Sequence, residues 1–424
     1  MKVSRRLLEM KRTRIHRILL VTFALWIGVL PVGHRAQAPS LEELLKSNSH
    51  AIEVLNGNLS GDGMNFLMKI SANAQFFAVA EPHNAREVPE FTTMLFRALH
   101  ERYGFNYLAL EQDPVMAHMV SEKSVLGKRD GVISLAKKYP NAFTFDSDQE
   151  LEMIAEAGEV SHGKAERIWG LDQVFGALHI LERLKQLAPK AEVRDRVSRL
   201  IELVHVYEAE RFKEGRRFMN PDIPKPDDLK NLLQLYQPKK GSEAEFLITQ
   251  LLTSIRIYEN NYLAGKGQLT GYEANREREE NMKALFMREY RLAQSAGEPM
   301  PKVLLKFGHY HIIQERSWSS VLSLGNFILE FAKSNNMDSV HLAVFMNNAA
   351  GDYGVLSAGE DYKPLASAGA NDKWTIVDLR PLRNYLQAGQ VANVQPEMRR
   401  LIFGFDAVLL LGAGSRGTFK LTEK

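Results

Sequence analysis

Seven short apolar runs, bounded by turn residues and mostly separated by helical patterns, set the tightest limit on how this chain can fold. They lie at Gln75–Ala80, Asn106–Leu110, Arg167–Gly170, Lys302–Phe307, Val340–Met346, Trp374–Val377 and Ala407–Leu411. After the first run, Val88, Phe91, Met94, Leu95, Ala98 and Leu99 recur at helical spacing. Ala177–Leu187 does the same after the third. Such alternation predicts an α/β fold, with a mostly parallel central sheet and helices on both faces. Between the third and fourth strands the pattern turns helical at Ala191–Glu214, Ala244–Leu263 and Asn275–Ala296, with a proline-rich connection at Phe218–Pro238. This reads as a large helical insertion, about residues 176–300, in an α/β catalytic-like domain spanning 75–424. Residues 39–74 are expected to form a helical N-terminal segment.

The first 38 residues read as a targeting segment. A basic stretch ends at Arg17, an apolar run extends from Ile18 to Val32, and Ala36-Gln37-Ala38 offers small residues at cleavage spacing. The apolar run is short for a spanning helix. Export to the periplasm or beyond is therefore expected, with membrane contact only through an uncleaved N-terminus. The same segment explains the formal charge of +3, since it holds eight of the 54 Lys and Arg but one of the 51 Asp and Glu. The remaining chain carries 46 basic and 50 acidic side chains, which offers no electrostatic footprint for nucleic acid. A small-molecule substrate is the expected partner. There is no cysteine, so thiol nucleophiles, thiolate metal sites and disulfides are excluded.

Four of the runs end in residues that can do chemistry. The first leads into Glu81-Pro82-His83, the second into Glu111-Gln112-Asp113, the third into Asp172, and the fourth into Gly308-His309-Tyr310-His311. Any one of these has an ordinary structural explanation, such as a solvent-facing turn or a helix N-cap at Asp172. Four together do not. Parallel strands would gather them at one edge of the sheet, where open α/β sheets bind ligands.

This set offers carboxylates and imidazoles without an activated nucleophile. It suits a divalent metal held by His83, Glu111 and His309 or His311, lowering the pKa of bound water. It equally suits metal-free hydrolysis in which His83 or a Glu takes the proton from water. Ser317, Ser319 and Ser320 sit in no nucleophile elbow, and a serine hydrolase is the weaker reading. Gly412-Ala413-Gly414-Ser415-Arg416-Gly417 matches a dinucleotide fingerprint by spelling, but no helix and second strand can follow it.

These motifs resemble the superfamily of erythromycin esterases, ChaN-like haem-binding proteins and Tiki-type metalloproteases. Glu81-Pro82-His83-Asn84-Ala85-Arg86-Glu87 is similar to its opening motif, with the shorter Glu-x-His spacing of the ChaN-like form. Glu111, Gly170-Leu171-Asp172, Arg278-Glu279-Glu280-Asn281-Met282 and Gly308-His309-Tyr310-His311 resemble the later motifs in order. Ala80 stands where the family has Gly, and both His motifs are one residue short of the esterase form, so the macrolide substrate is not carried over. The resemblance implies a hydrolase acting on an ester, lactone or amide. His83 would be base or metal ligand, Glu81 and Glu111 would orient it or activate water, and His309 or His311 would complete the site. Arg86 or Arg278 would stabilise negative charge, with Glu87, Asp113, Asp172 and Tyr310 in support. The alternatives it implies are haem or iron bound through histidine or Tyr310, and a metal-dependent peptidase. Arg278 also stands out by position: it shares a helical stripe with Met282, Leu285 and Phe286. That placement predicts a guanidinium reaching the strand-end acids Glu111 or Glu81 as a bidentate fork.

Overall fold

The computed structural model describes residues 39–122, 125–160, 167–211, 218–221, 225–346, 359–370 and 372–422. The expected leader, residues 1–38, lies outside them. Among the described residues nine strands form one sheet: β1 (Ser49–Leu55), β2 (Asn58–Ser60), β3 (Ala74–Glu81), β4 (Tyr107–Leu110), β5 (Ile168–Gly170), β6 (Val303–Gly308), β7 (Asp338–Met346), β8 (Trp374–Asp378) and β9 (Ala407–Leu411). Their order is β2-β1-β8-β9-β7-β3-β6-β4-β5. The stretch from β9 to β5 is parallel throughout, and β8, β1 and β2 extend it with antiparallel pairings. All seven expected strands are present, in a mostly parallel α/β sheet.

The central strands β3 and β6 are buried along their whole length, as befits strands covered on both faces. Alternate residues feed two apolar layers. Phe77, Val79, Leu304 and Leu110 pack with Val88, Phe91 and Leu95 of the helix Glu87–Tyr103 on one face. Phe76, Ala78, Leu305 and Ala109 pack with Met282, Phe286 and Ile328 on the other.

The register levels the strand ends. Glu81 lies opposite Gly308, and Leu110 lies opposite both Lys306 and Gly170. The chain leaves β3 for β4 and β5, returns with β6 between β3 and β4, and then crosses to β7 on the far side of β3. That reversal opens a crevice at the carboxyl ends of β3 and β6.

The expectation for residues 39–74 is only half met. Helices Leu41–Ser47 and Gly61–Ser71 flank a β-hairpin in which β1 joins the sheet through β8. Asn56 and Gly57 both have positive φ, the two-residue turn that suits a right-twisted hairpin. The hairpin's exposed, weakly alternating residues hide it from a search for apolar runs.

Between β5 and β6 the insertion is helical as expected, with Leu178–Gln186, Ala191–Arg211, Glu243–Gly265 and Gly271–Ser295 as its principal helices. Two short helices, Asp227–Lys230 and Leu232–Tyr236, lie in the proline-rich connection. The last long helix starts at a capping box between Thr270 and Glu273, and buries Met282, Leu285, Phe286 and Tyr290. Burial of that stripe carries Arg278 to the strand ends. No described helix is long and apolar enough to cross a membrane.

Candidate functional site

Two clusters of buried charge meet at the crevice, one from each face of the sheet. Glu81 ends β3 on the same face as Phe77 and Val79, and Lys306 lies on that face of β6. The Lys306 ammonium is 2.7 Å from Glu81 Oε2 and 2.8 Å from Glu150 Oε1, with all three side chains almost fully buried. Glu150 comes from the first turn of the helix Asp148–Val160. The other Glu81 oxygen accepts from His83 Nδ1 at 3.4 Å. The His83 ring stacks on Phe145, with centroids 4.6 Å apart. Its side chain is 39% exposed, so the imidazole faces the crevice. Its Nε2 has no hydrogen-bond partner among the described residues.

Gly308 makes this placement possible. A Cβ there would lie 2.9 Å from both Cε1 and Nε2 of His83, closer than carbon atoms approach. The glycine is required by the ring above it, since its backbone is ordinary extended chain.

The charges set one another. Burial opposes ionisation of Glu81, but the Lys306 ammonium and His83 hold its carboxyl below the usual range. Burial opposes the charged form of His83 too, and the Glu81 hydrogen bond and charge, with Glu111 behind them, raise it above its ordinary value. Glu150 is pushed up to about 7 by burial, against the pull of Lys306 and with the push of Glu81. Lys306, despite its burial, is raised by the two carboxylates.

On the opposite face Arg278 holds the second cluster. Its Nε and Nη2 form a fork on Asp172 at 3.0 and 2.6 Å, and Nη2 also reaches Glu111 Oε1 at 2.8 Å. The bidentate partner is thus Asp172, where Glu111 or Glu81 was expected. The second Glu111 oxygen accepts from the Gly308 amide at 2.9 Å. His311 donates from Nδ1 to Glu279 at 2.6 Å and turns Nε2 towards Glu111 at 3.8 Å. Glu279 also accepts from the Leu324 amide. Despite burial, His311, Arg278 and His83 hold the Glu111 carboxyl down at about 2. Arg278 itself is shifted upward by Asp172 and Glu111 against its own desolvation.

His309 behaves differently from its neighbour. Its Nδ1 donates to the Glu81 carbonyl at 3.1 Å, and its ring packs against Phe345 and Phe405. Burial, and then the charge of His83, push it down to about 4, so it is neutral at physiological pH.

Glu81, His83, Glu111, His309, His311, Arg278 and Tyr310 line one cavity of about 480 Å³, together with Asn275, Ser319 and Phe345. Tyr310 stands half exposed against Trp318. Asp172 is buried beneath the cavity and meets it through Arg278.

Three expected supporting residues lie elsewhere. Arg86 points outward to Glu90 and does not line the crevice. Glu87 instead accepts from the backbone and hydroxyl of Ser415. Asp113, fully buried, is the N-cap of helix Pro114–Ser121 and accepts from Val115 and Met116. The capping role considered for Asp172 thus falls to Asp113. Sequence reasoning missed Lys306, Glu150 and Glu279. Lys306 carried a signal, as one cation inside an otherwise apolar central strand. Glu150 and Glu279 sit on helices among many exposed acids and carried none.

The side chains do not fit a resident metal. Both Glu111 oxygens are engaged by Arg278 and the Gly308 amide, Glu81 is engaged by Lys306 and His83, and His311 points its Nδ1 at Glu279. Two buried cations, Lys306 and Arg278, already occupy the acids that a metal would need. Among the described residues no group of three His, Asp or Glu is arranged to hold an ion. His309, enclosed by Phe345 and Phe405, and His311, locked to Glu279, offer no ring nitrogen to haem, whereas His83 and Tyr310 do face the cavity.

No protein-family model matches the sequence, and no curated protein matches it. Solved structures do share its fold. A mutant of the erythromycin esterase EreC in its open conformation aligns with a TM-score of 0.59 at 15% identity, over 89% of this chain and all of that one. A Bacillus cereus protein aligns at 0.55 and 14% identity, over 89% of this chain and 98% of its own. A succinoglycan biosynthesis protein aligns at 0.54 and 12%, over 91% and 100%. The chain therefore has the erythromycin esterase-like fold.

Proposed function

We propose that this chain is a hydrolase that cleaves an ester, lactone or amide, with His83 as general base. The observation that carries this reading is the state of His83: one ring nitrogen is fixed by a buried carboxylate, and the other is open to the cavity. With Nδ1–H held by Glu81, Nε2 carries the lone pair. A water between Nε2 and a bound carbonyl loses its proton to His83 as its oxygen attacks the carbonyl carbon. The resulting imidazolium then returns that proton to the departing oxygen or nitrogen. Arg278 lines the same cavity, and its Nη1 donors have no protein partner among the described residues, so they are free to receive the developing oxyanion. His311 supports this wall, while neutral, packed His309 shapes the floor.

One protein of the same fold is an erythromycin esterase, which agrees with ester or lactone cleavage; the substrate of this chain is left to experiment. We place its action outside the cytoplasm, with residues 1–38 as export signal or anchor. Hydrolysis of a panel of p-nitrophenyl esters and aryl lactones tests the reading. The His83→Asn variant should lose about 10³-fold in turnover, within the span of general-base catalysis. Turnover that survives this substitution would refute it.

A further inference from the structure

We infer that Glu150 is a positioning residue for His83, acting through the Lys306 ammonium that it shares with Glu81. The inference rests on the reading of His83 as base, and it extends the site to a helix that the crevice does not expose.

Its basis is a chain of contacts. His83 Nδ1 meets one oxygen of Glu81, the other meets Lys306 at 2.7 Å, and Lys306 meets Glu150 at 2.8 Å. One ammonium thus serves two carboxylates in a dry place. Burying three charges is costly, and an apolar trio would fill the same space at lower cost. A single Lys–Glu pair would already neutralise Glu81. The second acid therefore does something that neutralisation alone does not require: it shares the Lys306 ammonium at nearly equal distance and so leaves more of the Glu81 charge for His83.

The C-terminal segment ties both ends of this chain of contacts together. Gly417 donates to the Asn84 carbonyl and Arg86 to the Ser415 carbonyl, which fixes the loop beyond His83. Thr418 Oγ1 and the amides of Lys420 and Leu421 all donate to Asp148, which opens the helix that carries Glu150. Two glycines of the 412–417 run are needed by this strap: a Cβ at Gly414 would meet Met346, and one at Gly417 would meet Ser147.

The charged groups acting on His83 are Glu81 from β3, Glu111 beyond β4, and Lys306 from β6. His309 beyond β6 and Glu150 from the helix also interact with it. Phe145 covers the ring's other side.

The test is a pH titration of the His83 ring by NMR in the full chain labelled at histidine nitrogen, assigned with His83→Asn. It is paired with the pH dependence of p-nitrophenyl butyrate hydrolysis. Glu150→Gln should lower the His83 midpoint by about half a unit, the size of one screened charge at this remove. The acid limb of kcat/KM should move with it. Glu150→Asp, which keeps the charge, should stay nearer to the unsubstituted protein than Glu150→Gln does. A midpoint that Glu150→Gln leaves in place overturns the inference, as does an equal shift in both variants, which would report packing rather than charge. Absence of ester turnover in the unsubstituted chain alongside a shifted midpoint would retire the hydrolase reading and leave the coupling of Glu150 to His83 standing.

Discussion

On one face of the sheet Lys306 lies between Glu81 and Glu150; on the other Arg278 lies between Asp172 and Glu111. Both arrangements bury one cation between two acids at the same strand ends, and each leads on to a histidine. They differ in what is left over. The lysine cluster passes its spare oxygen to His83, a ring open to the cavity with a free nitrogen. The arginine cluster ends at His311, which Glu279 locks in a buried position. A compact ammonium can divide its attraction unequally between two acids, whereas a planar fork fixes its partners in place. The first face is thus suited to moving a proton and the second to holding a wall.

That contrast predicts that the two faces fail in different ways. Arg278→Ala should destabilise the fold by about 3–5 kcal/mol, because Asp172 and Glu111 would be left buried without their cation. Chemical denaturation measures this. Arg278→Lys should recover part of the stability yet lose the fork, and with it turnover. If Arg278→Ala keeps full stability, the wall is not built as described.

Gly308→Ala separates geometry from charge. The added methyl displaces the His83 ring while the Lys306 and Arg278 ion pairs remain, so turnover should fall by as much as about 10²-fold with little change in melting temperature. An active Gly308→Ala protein would show that His83 does not need its present position.

pH acts on the two faces with opposite sign. Glu111 is depressed from 4.5 to about 2, so its contribution to stability is complete above 4.5 and is lost as pH falls towards 2. His83 is raised above 6.5, so its contribution is complete below 6.5 and is lost as pH rises through the folded value. Turnover should rise across that second interval, because the base must be neutral. Denaturation curves and rates collected from pH 3 to 9 should show activity increasing where this part of the stability declines.

The smallest effect belongs to an acid that serves neither cluster. Asp113→Asn keeps an oxygen to cap the helix but loses the charge that His179 faces, and should cost about 1–2 kcal/mol, with the pH profile of turnover unchanged. A shifted profile would mean that Asp113 is coupled to the crevice after all.

Much of this architecture is legible in the sequence. The buried strands announced themselves as apolar runs, and Glu81, His83, Glu111, His309 and His311 were visible as reactive residues at their ends. Arg278 was legible because a charge on an apolar stripe is out of place. The hairpin at β1 and β2 was missed for the converse reason: its residues are mostly exposed, and only Asn56-Gly57 marked it.

What the sequence determined by itself was local: the period of each segment and the residue at the end of each strand. Those follow from backbone geometry and apolar patterning within a few residues. The tertiary structure decided the partners. Strand order and register put Lys306 beside Glu81, and helix packing brought Glu150 to Lys306 and Glu279 to His311. The same packing turned Arg86 and Glu87 outward and made Asp113 a cap. Whether an acid works, caps or merely faces water depends on the charge placed beside it and on the water excluded around it, and both are supplied by residues far away in the chain.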